Sequence, residues 1–265
     1  MSRDVLDAIR DDLANFAVGL VERVDGAGSK VRGSGVLVSI EGRRGILTCG
    51  HVAEKYNDLP RIGLVRFVAG TRQNRTVDID DAHHIIMESN DEWTETDLDL
   101  AFTYLNPEVA DKVAVQSVFL NIEKNRSRIE AERPAGCFPV DIMFGLVAEY
   151  SEAPFVENRT FVSPMRAVIY SGKLHSDENG LVRFQTSEAV PENLPKDFGG
   201  LSGSGLWRVY VEDRGAGDFA IVQKQLWGIT SWQMDRRNNT GAVAGQGWDR
   251  IEQALIAAVR DNLRF

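Results

Sequence analysis

Short runs of β-branched and other apolar residues, each closed by a glycine-bearing turn, constrain this chain more than any other feature. AVGLVERV (17–24), GSGVLVSIEG (33–42) and RRGILTCG (43–50) follow one another with little between them. RIGLVRFV, DAHHIIMES and DLDLAFTYL continue the pattern; Asn106-Pro107 closes the last of these. After a mixed stretch at 106–134, CFPVDIMFGLVAEY, FVSPMRAVIYSGKL, GLVRFQTSE, GLWRVYVE and FAIVQKQLWGITSW resume it. Roughly a dozen short strands with regular turn signals and almost no internal helix point to an all-β barrel or sandwich. IEGRRGIL reads as a hairpin and HVAEKY as a single helical turn. Only the ends are helical. Val5, Leu6, Ile9, Leu13 and Phe16 fall at helical spacing near the N-terminus, under an acidic outer face, and Ile251, Leu255, Ile256, Val259 and Leu263 do so at the C-terminus.

At 265 residues the chain suits one large domain or two small ones sharing an interface. A net charge of −9 argues against a protein that coats a nucleic-acid duplex, which would show a basic stripe. No apolar stretch spans a membrane and no secretory leader is visible, so the expected location is the cytoplasm, with no membrane partner. Cys49 and Cys137 are the only cysteines, a count that leans towards a reducing compartment. His83, His84 and His175 are expected on strands or at the surface, and no spacing suggests a metal site, so neither metal nor cofactor is expected. GAGSKVRGSG lacks the lysine placement of a phosphate loop.

Three stretches carry chemistry, in chain order: ILTCGHV (46–52), DLDLAF (97–102) and GGLSGSGLW (199–207). A serine hydroxyl becomes a nucleophile only when an imidazole takes its proton. The imidazole needs a carboxylate to hold its tautomer, and the developing oxyanion needs preorganised donors, which backbone N–H groups of a glycine-rich turn provide. The order His, Asp, Ser and the serine after Ser202-Gly203 exclude the G-x-S-x-G elbow of α/β-hydrolases.

GSGVLVS, ILTCGHV, DLAF, GLSGS and LWGITSW together resemble the chymotrypsin/trypsin-like serine peptidases, and more closely their compact bacterial, intracellular-type members. The resemblance runs from about residue 17 to the terminal helix. It implies two six-stranded antiparallel β-barrels, the first over 17–122 and the second over 123–247, flanked by helices at 1–16 and 248–265. It implies a serine endopeptidase working through an acyl-enzyme, with a peptide or protein as substrate and no cofactor. His51 takes the general-base position, Asp99 the orienting carboxylate, and Ser202 the nucleophile. The N–H groups of Gly200 and Ser202 take the oxyanion hole. Asp97 is the rival acid, on the same face of an extended strand but without a following alanine; Ser204 is the rival nucleophile. Cys49 stands where the family has alanine and reads as a small core residue. Ser231 matches the serine beside the carboxylate, and Trp232 and Gln233 line the strand that pairs with substrate by β-augmentation. Many members have glycine where Gln233 stands. Lys196 and Asp197 are candidates for the floor of the primary pocket. No activation cleavage site is visible. An unregulated cytoplasmic peptidase would be hazardous, which implies control by a protein partner, a shaped pocket or a restricted substrate; a stress or defence role is analogy. The alternative is a silent trypsin-like domain whose cleft binds or recruits a peptide.

Overall fold

The structure, a computed structural model, describes residues 3–24, 28–57, 59, 62–67, 76–79, 82–87, 97–151, 155–157, 160–162, 165–186, 199–234 and 242–262. Helix α1 (Arg3–Leu13) buries Val5, Ile9 and Leu13, spaced one turn apart, and leaves Asp4, Asp7 and Asp11 outward. Then come β1 (Ala17–Val24), β2 (Gly28–Ile40) and β3 (Arg43–Thr48). The β2–β3 hairpin turns on Glu41 (φ 50°) and Gly42 (φ 81°). Positive φ at both central residues matches the twist of the flanking strands. Helix α2 (Gly50–Asn57) is longer than the single turn expected of HVAEKY. Strands β4 (Ile62–Arg66), β5 (Thr76–Asp78), β6 (His83–Met87) and β7 (Leu100–Tyr104) complete the first half.

This half departs from the expected closed barrel. Its strands run β5-β4-β1-β2-β3-β7-β6, and no ladder joins the two ends among the described residues. The three residues of β5 pair with β4 alone and β6 pairs with β7 alone, so the sheet stays open.

The stretch at 106–134, which lacks a clear period, folds as two helices around a short strand: α3 (Pro107–Ala114), β8 (Leu120–Asn121, parallel to β2) and α4 (Ile122–Glu130). Asn106 and Asn121 cap them, their side chains accepting from the N–H groups of Val109 (2.9 Å) and Lys124 (2.7 Å). Pro107 sits at the first helical position, where its missing N–H costs nothing. Fully buried Asn125 of α4 then docks the linker on the second half, donating to the Leu226 carbonyl (3.1 Å) and accepting from its N–H (2.8 Å).

The second half is a closed six-stranded antiparallel barrel, as expected. Its strands are β9 (Cys137–Leu146), β12 (Ala167–Ser176), β13 (Leu181–Thr186), β14 (Gly205–Gly215), β15 (Asp218–Gln233) and β16 (Ala242–Gly247), ordered β12-β13-β16-β15-β14-β9. A separate hairpin, β10 (Phe155–Glu157) with β11 (Thr160–Val162), interrupts it. The terminal helix runs through α5 (Trp248–Arg250), a π turn (Ile251–Ile256) and α6 (Ala257–Asn262), burying Ile251, Leu255, Ile256 and Val259. Leu263 lies outside the described residues.

One apolar core joins α1, the open sheet, the barrel and the terminal helix. Phe16 meets fully buried Trp207 at 5.9 Å, and Phe67 meets Phe144 edge-on at 5.7 Å. The contact between the halves is therefore a packed interior rather than a wet seam.

His83 and His175 are exposed on strands, whereas His84 is half-buried, its Nδ1 2.9 Å from Thr103 Oγ1. Burial, aided by the neighbouring His83, lowers its pKa from the ordinary 6.5. The unfolded chain then binds more protons below that value, so stability is lost as pH falls. Urea unfolding of the wild type is expected to show a decline as pH falls below the ordinary histidine value of 6.5, one that flattens in His84→Gln; parallel curves would refute it.

Candidate active site

Strand pairing brings His51 and Asp99 together. Thr48, the last residue of β3, pairs with Ala101 of β7, so the residues just past each strand end are neighbours. His51 follows as the second residue of α2, where a backbone N–H has no partner within the helix. Asp99, 4% exposed, satisfies it: Oδ1 accepts the His51 N–H at 2.9 Å, and Oδ2 lies 2.8 Å from His51 Nδ1. A carboxylate only accepts, so Nδ1 carries the hydrogen and the Nε2 lone pair is left for another donor. The imidazole is one-third exposed. Asp97 takes no part in this pair. Its carbonyl accepts from Arg250 Nη1 (2.9 Å) and Gln246 Nε2 (3.4 Å), which tie the approach to Asp99 to the other half.

Ser202 lies on the turn before β14. Gly200 (φ 91°) and Gly203 (φ 85°) bracket it in the left-handed region, the backbone reason for glycine at both positions. The turn is bonded on several sides. Gly203 N–H donates to the Thr230 carbonyl, Ser204 N–H to that of Leu201, and Ser34 N–H to that of Ser202, each at 2.8 Å. The Gly199 carbonyl accepts from Ala148 N–H at 2.8 Å. The N–H groups of Gly200 and Ser202, by contrast, have no acceptor among the described residues. Both donors lie on a partly exposed turn. The Ser202 hydroxyl donates to the Ser231 carbonyl at 3.3 Å, and no hydrogen bond joins it to His51. Ser204 is fully buried, its hydroxyl unpartnered and packed towards Gly145, away from the cleft.

Cys49 does more than fill space. Its wholly buried thiol donates to the Thr230 carbonyl at 2.8 Å and lies 3.7 Å from Ser231 Oγ. Burial first, and the nearby Asp99 charge second, push its pKa well up. Cys49 Sγ, a His51 ring nitrogen and an Asp99 oxygen lie within 4.8 Å of one another. The imidazole and carboxylate already satisfy each other through their 2.8 Å contact. Ser231, expected beside the carboxylate, makes no hydrogen bond to Asp99. It is the extra residue of a bulge between Thr230 and Trp232, which aims its carbonyl at Ser202. Beyond Ile229, β14 no longer accompanies β15, while β16 still pairs with Trp232 and Gln233. Lys196 and Asp197 lie outside the described residues.

Ala148, Gln246 and Arg250 support these groups without standing out in the sequence, as do Ser34 and Thr48 from within the motifs GSGVLVS and ILTCGHV. The glycine-flanked Ser34 was the one signal on offer, since glycines on both sides mark a crowded backbone.

No family profile matches the chain, and no curated protein does. Among solved structures, one reported under "Aromatic interactions drive the coupled folding and binding of the intrinsically disordered Sesbania mosaic virus VPg protein" is similar over 91% of this chain and 90% of its own. The two share 16% identity at a TM-score of 0.46.

Proposed function

We propose that the chain is a serine endopeptidase of trypsin-like architecture whose first barrel is left open. One observation carries the reading: Asp99 grips His51 at two points, and Cys49, two residues before that histidine, reaches Ser231, whose carbonyl accepts from the hydroxyl of Ser202 on a turn with two orphan N–H groups. The reading requires Ser202 to turn about χ1, giving up its one long hydrogen bond to the Ser231 carbonyl, so that its hydroxyl reaches His51 Nε2. Nε2 then takes the proton as Oγ attacks the scissile carbonyl. The oxyanion settles on the N–H groups of Gly200 and Ser202. His51 passes its proton to the leaving amine, and water releases the acyl-enzyme by the same steps in reverse. The substrate strand lies along Trp232 and Gln233, where β14 has left β15. No step needs a cofactor.

A second reading, a silent cleft that holds a peptide, is favoured by the Ser202 hydroxyl facing Ser231 rather than His51. Resting hydrogen bonds in catalytic sites often form only with substrate present, so we give this reading second place. A fluorophosphonate probe separates the two. The folded protein is expected to take up one equivalent, found on Ser202 by peptide mass spectrometry, and to cut members of a peptide library. Labelling spread over surface serines, or equal in native and unfolded chains, would favour the silent cleft. Turnover of esters without cleavage of any peptide would point to a small-ester hydrolase.

A further inference from the structure

We propose that Ser34 is a positioning residue that holds the oxyanion turn from the opposite half of the molecule; this inference rests on the peptidase reading above. Ser34 lies on β2, in the sheet that carries His51, and is 1% exposed. Its Oγ donates to the Gly200 carbonyl at 2.7 Å and accepts from Leu146 N–H at 2.9 Å. Its N–H donates to the Ser202 carbonyl at 2.8 Å. Its own carbonyl accepts from Thr48 Oγ1 at 2.8 Å, three residues before His51. A single buried residue therefore touches the peptide planes on both sides of the one that carries the Ser202 N–H.

The geometry has a mechanical consequence. A peptide plane rotates about the line joining its two Cα atoms, so its direction is set by where those atoms sit and by the groups bonded to the plane itself. Ser34 holds the carbonyls of the planes 200–201 and 202–203, and with them the Cα positions at both ends of the plane 201–202, whose own carbonyl is held by Ser204 N–H and Thr230 Oγ1; freeing the flanking carbonyls shifts the line about which the Ser202 N–H is aimed. Gly200 needs this restraint: at φ 91° a glycine has a broad choice of alternatives. Ser34 touches neither His51 nor Asp99. Its effect should fall on donor alignment and leave the proton-transfer pair alone. A serine serving only to join the two halves would affect stability and nothing else.

The probe is again a fluorophosphonate, because its reaction uses the same donors. Ser202 Oγ bonds to phosphorus, fluoride leaves, the hydroxyl proton passes to His51, and the phosphoryl oxygen gathers charge at the N–H groups of Gly200 and Ser202. Loss of an oxyanion donor itself costs roughly 10²–10³-fold. Misaligning one by freeing its neighbours is expected to cost about tenfold, an order below that range. Ser34→Ala should lower the maximal labelling rate by that factor, with the half-saturating probe concentration within about twofold of wild type. The pH midpoint of labelling should not move. Ser34→Cys, which keeps a weak donor at nearly the same point, should fall between. Near-UV circular dichroism checks that each variant is folded; if Ser34→Ala is not, Ser34→Cys carries the test. A folded variant that labels at the wild-type rate, or one whose pH midpoint shifts with the rate, would overturn the proposal while leaving the peptidase reading intact. A wild-type protein that fails to label at Ser202 would remove both.

Discussion

Asp99→Asn is expected to slow phosphonylation of Ser202, and peptide cleavage with it, by about four orders of magnitude while leaving the fold in place. The substitution is nearly isosteric. The amide that replaces the carboxylate can keep its one oxygen on the His51 N–H, the bond that caps the start of α2, so the local backbone has no reason to move. What changes is the atom opposite Nδ1. At 2.8 Å from the ring, an amide N–H₂ presents donors where a carboxylate presented an acceptor. The imidazole must then put its hydrogen on Nε2, the nitrogen that has to take the Ser202 proton. It also loses the charge that stabilises its protonated form. Asp97→Asn is the control: the contacts shown for residue 97 are its carbonyl's bonds to Gln246 and Arg250 and its charge's pull on Arg250, none of them to His51. Its labelling rate should stay within about twofold of wild type. Thermal unfolding followed beside labelling separates chemistry from folding. An Asp99→Asn protein that melts normally and labels at full rate would show that the bond between residues 51 and 99 serves structure alone.

The elements most legible in the sequence are those whose period is local. Val5, Ile9 and Leu13 announce α1, and Glu41-Gly42 announces the first hairpin, because three or four neighbouring residues suffice to specify each. The runs between Cys137 and Gly247 leave barrel and sandwich open, and the closed barrel is what the family resemblance adds. Closure of the first sheet was beyond such patterns. Whether β5 meets β6 depends on ladder partners and loop paths, and a three-residue strand gives almost no signal of either. The helices after Asn106 and Asn121 were missed for another reason. Their buried faces are small, Ala110 and Val113 in one and Ile122 and Asn125 in the other, so no strong apolar stripe appears. The caps were the readable part: Asn-Pro at 106–107 marks a helix start as much as a strand end.

The candidate site divides the same way. His51, Asp99 and Ser202 stood out because functional side chains sit at strand ends and glycine turns with recognisable neighbours. Their mutual arrangement, and the buried residues that enforce it, arise from contacts across more than a hundred positions, such as Ser34 with Gly200. Cys49 shows the limit of reading by substitution. Its small volume suits the family's alanine position, but its thiol also gives the Thr230 carbonyl a donor and lies beside Ser231 in place of a direct serine–aspartate bond.

Gly203→Ala should be among the most damaging single substitutions in the molecule, although it adds only a methyl group. Two penalties combine. At φ 85° an L-residue is strained by about 1–2 kcal/mol. The new Cβ would also stand 2.1 Å from the Ser34 carbonyl oxygen and 2.3 Å from Thr48 Oγ1. Neither neighbour can give way cheaply. The Ser34 carbonyl belongs to β2, within its ladder to β1, and Thr48 Oγ1 is bonded to that same oxygen. Overpacking of this kind costs roughly 1–3 kcal/mol, so the total is about 2–5 kcal/mol, a large part of the stability of an ordinary domain. Gly42→Ala isolates the first penalty. Its φ of 81° is nearly the same, but nothing lies within 4 Å of the added carbon. Urea unfolding should show Gly42→Ala within about 2 kcal/mol of wild type. Gly203→Ala should lie at least about 1 kcal/mol below it, with Ser202 labelling lost even in the fraction that remains folded. Equal midpoints for the two variants would mean that β2 and the Ser202 turn part easily, and that the seam across which Ser34 reaches is softer than its hydrogen bonds imply.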